Sequence, residues 1–453
     1  MSVPTQSEEQ KSPSYLEALT VYLRPSVLVI VLLGFSSGLP LALSGETLRV
    51  WMSDRGVDLG TIGLLSLAGL PYTLKFIWAP VVDAWHVPWL SERLGRRRAW
   101  LIASQLVLMA AIVFLGTRDP VNAPWMIGLG ALIVAFASAT QDIVVDAFRV
   151  QSLPTDEQAA GMAGYVAAYR IGMLASGAGV VGLSAWLEAE GLSKATTWPL
   201  AYAAAALLVL IGMAATLWAG EPQEAREREL ESHMHGSPMA RLYETARGAF
   251  ADFLTRDAAL AVLAFVILFK LCDALAGAMT APFVLSLGYS KATYAAIVKG
   301  VGLVALLVGG FAGGAVARAL PLPTALWIAA FLQMFSNLAF VWLGYQTPSA
   351  EALTVAIVAE NFAGAIGTVI FVAYLSALCR NPLHTATQYA LLTALASTGR
   401  TLFASGTGFA AAALGWPLFF IGTSLTAIPA LLLMLWLQGR GHFRALDGNR
   451  NGS

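Results

Sequence analysis

Twelve long apolar runs dominate the chain, and they constrain its fold more than any other feature. A helix of about 20 apolar residues crosses the hydrocarbon core of a bilayer. Hydrophobic residues make up 57% of the sequence and charged residues 12%, which is too little polar surface for a soluble protein of 453 residues. We therefore predict an all-α integral membrane protein with twelve transmembrane helices. The runs lie near 27–48, 61–82, 99–117, 124–147, 159–186, 199–219, 258–286, 293–317, 323–344, 351–379, 386–414 and 416–437.

A charged stretch separates the first six runs from the last six. This arrangement predicts two six-helix bundles that are related by pseudo-symmetry and joined by a linker. The second part of the linker places Leu242, Ala246 and Phe250 on one helical face, which indicates a helix on the membrane surface. The predicted divisions are an amino-terminal segment 1–26, a first bundle 27–220, a linker 221–256, a second bundle 257–438 and a tail 439–453.

The distribution of basic residues predicts the orientation of the chain in the membrane. With both termini and the linker in the cytoplasm, seventeen of the 27 Lys and Arg residues fall inside, five fall outside and five lie within spans. Cytoplasmic loops normally carry this excess. The 27 basic and 27 acidic residues cancel, so net charge indicates no nucleic-acid partner. The five residues expected outside are Arg49, Arg55, Arg118, Lys194 and Lys291.

Five cations lie inside predicted spans, where each costs about 2.5–3.5 kcal/mol on insertion scales. They must be paired or hydrated, either in ion pairs that hold helices together or around a polar cavity. Lys270 and Asp273 are spaced for a pair within one helix. The buried cations are Lys75, Arg170, Lys270, Lys299 and Arg400, and the acids available to them are Asp142, Asp146, Asp273 and Glu360, with Glu46 nearer a span end.

The recurrence of these charges in both halves favours a cavity between the bundles. Lys75 and Lys299 are 224 residues apart on corresponding spans. Arg170 and Arg400 are 230 residues apart on another corresponding pair. Transporters built from repeated bundles bind substrate at the repeat interface. The predicted substrate-binding residues are Lys75, Gln141, Arg170, Lys270, Lys299, Glu360, Asn361 and Arg400.

A coupled proton requires a side chain that changes charge, which excludes arginine and leaves the buried acids. Asp142 and Asp146 lie four residues apart on one helical face, where two like charges in a low dielectric disfavour joint ionisation. We predict that this pair shares a proton. The alternative is a structural salt bridge from Asp146 to Arg149, and the sequence leaves both readings open. The candidate proton-coupling residues are Asp142, Asp146, Asp273 and Glu360.

The segment between the second and third spans carries a predicted gate. An acid close to arginines and helix ends can hold one conformation. The predicted gating residues are Asp83, Arg96, Arg97 and Arg98. The sequence has no phosphate-binding loop, nucleophile elbow or histidine-rich cluster, so we expect neither an enzyme nor a cofactor or metal site.

Several segments of both halves resemble the AmpG-type muropeptide permeases of the major facilitator superfamily. The resemblance implies a bacterial inner-membrane transporter that imports anhydromuropeptides, the GlcNAc-anhydroMurNAc peptides of cell-wall turnover, for peptidoglycan recycling. It further implies proton symport, action as a monomer, and a contribution to β-lactamase induction and so to antibiotic resistance. The matching segments are GFSSGLPLALSGETLRVWM from Gly34, LKFIWAPVVD from Leu74, ATQDIVVDAFRV from Ala139, YRIGMLASG from Tyr169, FKLCDA from Phe269, ENFAGAIGT from Glu360 and HTATQYALLTALASTGR from His384.

Two features of the sequence qualify this resemblance. The acid of the loop motif, Asp83, follows Ala79 and Pro80 where the superfamily usually has a glycine. The stretch around Gln141 and Asp142 also resembles acetyl-CoA transporters. A carrier of an anionic metabolite of that kind is therefore the alternative expectation.

Overall fold

The computed structural model describes residues 23–154, 157–222, 258–378 and 385–447, and all regular structure within them is helical. Eleven helices there are long and apolar enough to cross a membrane. The first six are α1 (Pro25–Asp54), α2 (Leu59–Ile77), α3 (Arg96–Gly116), α4 (Pro124–Arg149), α5 (Gly164–Ala189) and α6 (Lys194–Trp218). The remaining five are α7 (Ala259–Ser286), α8 (Lys291–Ala317), α9 (Leu322–Gly344), α10 (Ala350–Leu378) and α12 (Trp416–Gly439).

The position of the eleventh predicted span is also helical. This segment, α11, consists of Thr385–Ser405 and Thr407–Leu414. Helices therefore occupy all twelve predicted positions. Short helices also cover Ala79–Ala84, Leu90–Leu94 and His442–Asp447. The predicted surface helix of the linker lies outside the described residues.

Several of the long helices are interrupted. α1 breaks at Gly45 and continues as Glu46–Asp54, so it extends six residues beyond the predicted end of the first span. α2 is a series of short α and 3₁₀ turns around Pro71, which lacks the backbone N–H needed to continue an α-helix. α5 and α8 contain π-helical turns at Ala175–Gly179 and Tyr294–Val301. Such turns are frequent at functional sites.

Helix packing repeats between the first six and the last six helices. α1 packs on α5 as α7 packs on α11, and α2 packs on α4 as α8 packs on α10. α3 contacts α4 and α6, and α9 contacts α10 and α12 in the same way. The two sets therefore share one packing scheme, which is the pseudo-symmetry that the sequence predicted.

The two sets meet mainly along α1 with α7, α2 with α11, and α5 with α8. Glycine makes the second contact close. A Cβ atom at Gly408 would lie 1.6 Å from the carbonyl oxygen of Leu59, so only glycine fits there. This contact lies where α1 ends and α2 begins. We call that end of the molecule the Asp54 end.

Aromatic side chains fill the core near the Asp54 end of each set. Trp51 of α1 stacks on Trp198 of α6, with ring centroids 5.8 Å apart. In the second set, Phe283 of α7 packs on Phe420 of α12 at 4.8 Å. Large apolar side chains such as Leu432 are exposed on the outside of the bundle, as expected for a surface in contact with lipid.

Candidate functional site

A cavity of about 190 Å³ lies between the two sets of helices. α1 and α5 form its wall on one side, and α7, α8 and α10 form it on the other. We call this space the central cavity. Its charged and amide lining consists of Glu46, Arg49, Arg170, Lys299, Glu360 and Asn361. Four of these were predicted from the sequence as substrate-binding residues, namely Arg170, Lys299, Glu360 and Asn361.

One cation of the central cavity is already paired across the two sets. The Lys299 ammonium of α8 forms an ion pair with the Glu46 carboxylate of α1. It also lies 5.7 Å from the centroid of the Tyr294 ring. On the facing helix, the Glu360 carboxylate accepts a hydrogen bond of 2.8 Å from the Asn361 amide. Lys299 is therefore a link between the bundles in this conformation.

Two arginines of the central cavity have no such partner. No carboxylate of the described residues lies within ion-pair distance of Arg49 or Arg170. The Arg49 Nη2 atom lies 3.5 Å from the Ser66 hydroxyl, at the outer limit of a hydrogen bond. Each guanidinium therefore keeps most of its five N–H donors for other groups.

Arg49 is the site residue that sequence reasoning missed. We expected it in an outer loop because the apolar run ended near residue 48. The structure corrects this, since α1 resumes after Gly45 and carries Arg49 inside the bundle. The signal available in the sequence was the helical spacing of the apolar residues Leu48, Trp51 and Met52 after Gly45.

A second space adjoins the central cavity between α8 and α10. This α8–α10 groove has a volume of about 560 Å³ and shares Arg170, Glu360 and Asn361 with the central cavity. Asp273 of α7 lines it as well, and its carboxylate lies 2.6 Å from the Lys270 ammonium. Lys270 also donates to the Gly364 carbonyl of α10 at 3.1 Å. The spacing of Lys270 and Asp273 thus correctly predicted their contact.

The other predicted residues of the first set lie between α1, α2 and α4. The Lys75 ammonium is 3.7 Å from the Asp146 carboxylate. Asp142 has one carboxylate oxygen, Oδ1, that is buried without a hydrogen-bond partner. Gln141 is fully buried and donates to Ser37 of α1 at 3.3 Å. In this conformation Gln141 therefore does not reach the central cavity.

Arg400 of α11 also lies apart from the central cavity lining. Its Nη2 atom donates to the Ser397 hydroxyl at 3.1 Å. Two residues earlier on the same helix, Thr398 bonds Thr73 of α2 at 3.2 Å and so joins the two sets. Arg400 is half-buried at this junction.

Four charged side chains join the two sets at the Asp54 end. The Lys291 ammonium of α8 lies 3.2 Å from the Asp54 carboxylate of α1 and 2.7 Å from the Glu188 carboxylate of α5. Lys194 of α6 contacts Asp54 at 2.8 Å. The side chains of Lys291 and Asp54 are only 6% and 8% exposed. We call these four residues the bridging cluster; the sequence had placed both lysines in exposed outer loops.

Two of the predicted gating arginines, Arg97 and Arg98, make contacts within the first set. The Glu221 carboxylate accepts from the backbone N–H groups of Arg97 and Arg98 at 2.8 and 3.1 Å, and so caps the start of α3. Arg98 donates to the carbonyl of Thr216 near the end of α6. Gly95 lies against Glu221 with a φ of 87°, a conformation that favours glycine. The Asp83 side chain lies outside the described residues.

Twelve helices in two similarly packed sets, with a charged cavity between them, define the chain as a membrane transporter of the two-bundle type. The family model described as Major Facilitator Superfamily matches residues 26–404. The chain is 37% identical over 420 residues to the Anhydromuropeptide permease of Escherichia coli, covering 92% of this chain and 80% of that protein. It is 35% identical over 409 residues to a Rickettsia conorii protein that carries the name transporter AmpG 4, covering 90% and 95%. The chain belongs to the Major Facilitator Superfamily and, within it, to the AmpG-type permeases.

Solved structures of transporters have the same fold. The nucleoside transporter NupG aligns with a TM-score of 0.68 at 13% identity, covering 93% of this chain and 99% of its own. A POT family transporter in complex with 5-aminolevulinic acid aligns with a TM-score of 0.65, also at 13% identity, covering 91% and 96%. With the family match and the permease relatives, this fold makes the protein a multi-pass membrane transporter of a small molecule.

Proposed function

We propose that this protein imports anhydromuropeptides from the periplasm to the cytoplasm of a bacterium by proton symport. The observation that carries the proposal is the 37% identity to an anhydromuropeptide permease over 92% of the chain, together with a charged cavity between the two bundles. The import would supply cell-wall fragments for peptidoglycan recycling, and through them for β-lactamase induction. It takes place in the inner membrane, and the protein acts as a monomer within the bilayer.

The chemistry of the central cavity suits this class of ligand. A muropeptide carries peptide carboxylates and many sugar hydroxyls. Arginines bind carboxylates with charge-assisted hydrogen bonds, while amides and acids bind hydroxyls. Arg170, Glu360 and Asn361 offer these groups at the point where the cavity meets the α8–α10 groove. The groove adds about 560 Å³, which gives a disaccharide peptide more room than the cavity alone.

The excess of basic residues supports an orientation with both termini in the cytoplasm. In that orientation the Asp54 end faces the periplasm. The bridging cluster then closes the periplasmic side, and the cavity opens toward the cytoplasm when a ligand leaves. Asp83 and Arg96 to Arg98 would gate the opposite side.

The uptake of a labelled anhydromuropeptide into vesicles tests this function directly. We expect accumulation when the pH gradient is imposed with the acidic side at the Asp54 end, and loss of accumulation when the gradient is collapsed. Labelled acetyl-CoA serves as the competing substrate. Uptake of acetyl-CoA without uptake of the muropeptide would favour the alternative anionic metabolite.

Proton coupling is tested by Asp142→Asn and Asp146→Asn. Asp142 has a buried carboxylate oxygen without a partner, and Asp146 faces Lys75 at 3.7 Å. This arrangement supports a shared proton on the pair, because protonation removes one of two close negative charges. We expect both variants to lose gradient-driven accumulation while they keep exchange of labelled for unlabelled ligand.

The matched control is Asp119→Asn, which removes a carboxylate from an exposed loop beside Arg55. If both Asp142→Asn and Asp146→Asn still accumulate ligand in response to the gradient, the proton uses another acid. Glu360 is the next residue to test, followed by Asp273. For the gate, Asp83→Asn should change cysteine accessibility on the two sides of the membrane more than ligand affinity.

A further inference from the structure

Four buried oxygen atoms of the first bundle have no hydrogen-bond partner among the described residues. They are Oη of Tyr72 on α2 and, on α4, Oγ of Ser138, Oε1 of Gln141 and Oδ1 of Asp142. Ser37 of α1 joins two of these residues, since it accepts from the Gln141 amide at 3.3 Å and lies beside the Asp142 carboxylate. A buried polar atom without a partner costs about 1–3 kcal/mol, and folded proteins normally satisfy such atoms with protein groups or ordered water. Four of them together therefore indicate a site for water or for a proton.

The Tyr72 hydroxyl connects this group to another level of the bundle. It lies near the Ser138 hydroxyl and the Asp142 carboxylate of α4, and also near the Ser44 hydroxyl of α1. A phenol hydroxyl donates one hydrogen bond and accepts others. It can therefore take up one proton while it gives up another, with no lasting change in its own charge.

On one side, this chain of oxygens reaches the central cavity. Ser44 lies between Ala42 and Glu46 in α1, and both of these residues line the cavity. Ser44 is only 6% exposed, and its hydroxyl donates to the Pro40 carbonyl at 2.9 Å. Its oxygen keeps lone pairs that can accept from water or from Tyr72. One end of the chain therefore lies beside the space for the ligand.

On the other side, the chain leads away from the Asp54 end. Asp119, in the loop before α4, contacts Arg55 at 3.8 Å, so α4 begins at the Asp54 end. Asp146 follows Asp142 by one turn, about 6 Å toward the opposite end. The Asp146 side chain is 52% exposed and lies 3.7 Å from the Lys75 ammonium. A proton that reaches Asp142 therefore has an exposed acid one turn farther on.

Three tyrosines lie around Asp142, and one of them is suited to a relay. The groups that face Asp142 from the helices packed around it are Ser37 of α1, Tyr72 and Lys75 of α2, Asp146 of α4, and Tyr165 and Tyr169 of α5. Tyr165 lies near Ser37, and Tyr169 lies near Arg170. Of the three tyrosines, Tyr72 is the one whose hydroxyl is buried without a partner in the described part of the chain.

We propose that Tyr72 relays the coupled proton between the central cavity and Asp142. In the transfer away from the cavity, a hydrated proton on the Ser44 side binds to the Tyr72 oxygen, and the original Tyr72 O–H proton passes to Oδ1 of Asp142. One O–H bond forms on Tyr72 as another breaks, so the phenol is neutral before and after. The Asp142 carboxylate becomes a neutral carboxyl. This role rests on the proposed proton symport and gives that proton a route from the ligand cavity.

Ligand-driven proton uptake by reconstituted vesicles tests the relay. The vesicles contain a trapped pH-sensitive dye, and unlabelled anhydromuropeptide is added on the side of the Asp54 end. Tyr72→Phe keeps the ring and removes the hydroxyl. It should slow acidification of the interior by about tenfold or more, because a positioned side chain contributes about 10²–10⁴-fold to a proton transfer and water replaces only part of this. Exchange of labelled for unlabelled ligand at equal pH should stay near normal, because Tyr72 does not line the central cavity.

Tyr202→Phe is the matched control, since Tyr202 of α6 is also a buried tyrosine of the first bundle. Its hydroxyl donates to the Leu43 carbonyl at 2.9 Å, so it already has a fixed partner. This variant should keep both proton uptake and exchange, each normalised to the amount of protein in the membrane. Ser138→Ala is a second test variant, which removes the hydroxyl beside Tyr72 and should slow proton uptake with exchange near normal. It decides the question if Tyr72→Phe does not accumulate in the membrane.

Proton uptake by Tyr72→Phe at the rate of the unsubstituted protein would overturn the relay. Equal losses of proton uptake and exchange would overturn it as well, because they would show a structural role for Tyr72. If the unsubstituted protein exchanges the ligand but takes up no protons, the proposed symport itself is wrong and the relay falls with it. A failure of the relay alone leaves the proton uptake of the unsubstituted protein intact, so the two failures are distinguishable.

Discussion

The bridging cluster and the central cavity both contain charged side chains at the junction of the two bundles, but their charges are balanced differently. In the bridging cluster two acids meet two lysines, and every member lies within 3.2 Å of an opposite charge. In the central cavity two arginines have no carboxylate partner in the described part of the chain. A balanced cluster holds two surfaces together, whereas an unbalanced one attracts an ion from outside.

The comparison also shows how one interface can hold the two bundles together and still attract an ion from outside. An alternating transporter must separate and rejoin its bundles around a fixed site. The contacts of Lys291 with Asp54 and Glu188 form only when the bundles meet at the Asp54 end, while the contact of Lys194 with Asp54 lies within the first bundle. The arginines of the cavity lie on α1 and α5 of the same bundle. They can therefore contact a ligand whether or not the two bundles are joined at the Asp54 end.

The largest effect should follow from Lys291→Gln. Without this cation Glu188 loses its partner and Asp54 keeps only Lys194 of its own bundle, and breaking a buried ion pair costs about 3–5 kcal/mol. We expect the bundles to separate at the Asp54 end and uptake to fall by more than about 100-fold, since each 1.4 kcal/mol corresponds to a factor of about ten. The measurement is labelling of Ala281→Cys, a buried position on the cavity wall, by an impermeant thiol reagent added from the Asp54 side.

Arg118→Gln at the same end of the molecule is the control for lost positive charge. Adding Glu188→Gln to Lys291→Gln should restore part of the closed conformation, because it removes the acid that loss of the Lys291 cation leaves without a partner. Unchanged labelling of Ala281→Cys in Lys291→Gln would show that the cluster does not hold the bundles together.

A somewhat smaller effect is expected from Arg170→Ala in the central cavity. The lost contact with a ligand carboxylate should raise KM for uptake by about 10–100-fold, with the amount of protein in the membrane near normal. Uptake kinetics normalised to membrane abundance give both values. If the variant fails to accumulate in the membrane, Arg170 has a structural role like that of the bridging residues.

An intermediate effect is expected from Glu46→Gln, which removes the one balanced ion pair of the central cavity. The change frees Lys299 from its ion pair and converts a balanced contact into an additional free cation. We expect tighter binding of the free-acid muropeptide and slower turnover, because one link between the bundles is lost. Binding to the purified protein and uptake by vesicles report the two quantities separately. Weaker binding would mean that Lys299 depends on Glu46 for its position.

The smallest effect is expected from Glu157→Gln, which removes an ion pair that lies away from both regions. The Glu157 carboxyl accepts hydrogen bonds from Arg24 and Ser26, and the bond from Arg24 lowers the pKa of this carboxyl from its ordinary value. A lowered pKa means that the contact stabilises the fold fully above the ordinary value near 4.3 and is lost as pH falls through the lowered value. At pH 7 the variant should lose roughly 0.5–1 kcal/mol of unfolding free energy.

Thermal unfolding of the unsubstituted protein and of Glu157→Gln, at pH 7 and under acidic conditions, checks this direction of the pH dependence. The difference between them should shrink as the pH falls below the lowered pKa of Glu157. Glu190→Gln is the matched control, since Glu190 is exposed in the loop after α5. A difference that grows on acidification would contradict the assignment.

The sequence predicted the twelve helices and the two sets because span length and apolar composition are local properties. It also identified four residues of the cavity lining, since ionisable side chains inside apolar runs are conspicuous. It could not decide how they pair. Lys75 and Lys299 occupy corresponding spans, yet Lys75 meets Asp146 of its own set while Lys299 meets Glu46 of the other.

The same limit explains the residues that were missed. Arg49, Lys194 and Lys291 lie at the ends of apolar runs, where a loop and a helix end have the same composition. The break at Gly45 concealed the last part of α1, so Arg49 was assigned to a loop. Lys194 and Lys291 are 97 residues apart, and nothing near either of them indicates that both meet Asp54.

By itself the sequence determined the class of the protein, the number and position of its helices, and the presence of a polar interior, because the bilayer imposes these on the chain residue by residue. Only the tertiary structure decided which charges neutralise one another and which stay available to a ligand. An ion pair between bundles depends on distances that arise when helices far apart in the chain pack together, and these distances separate the bridging cluster from the central cavity.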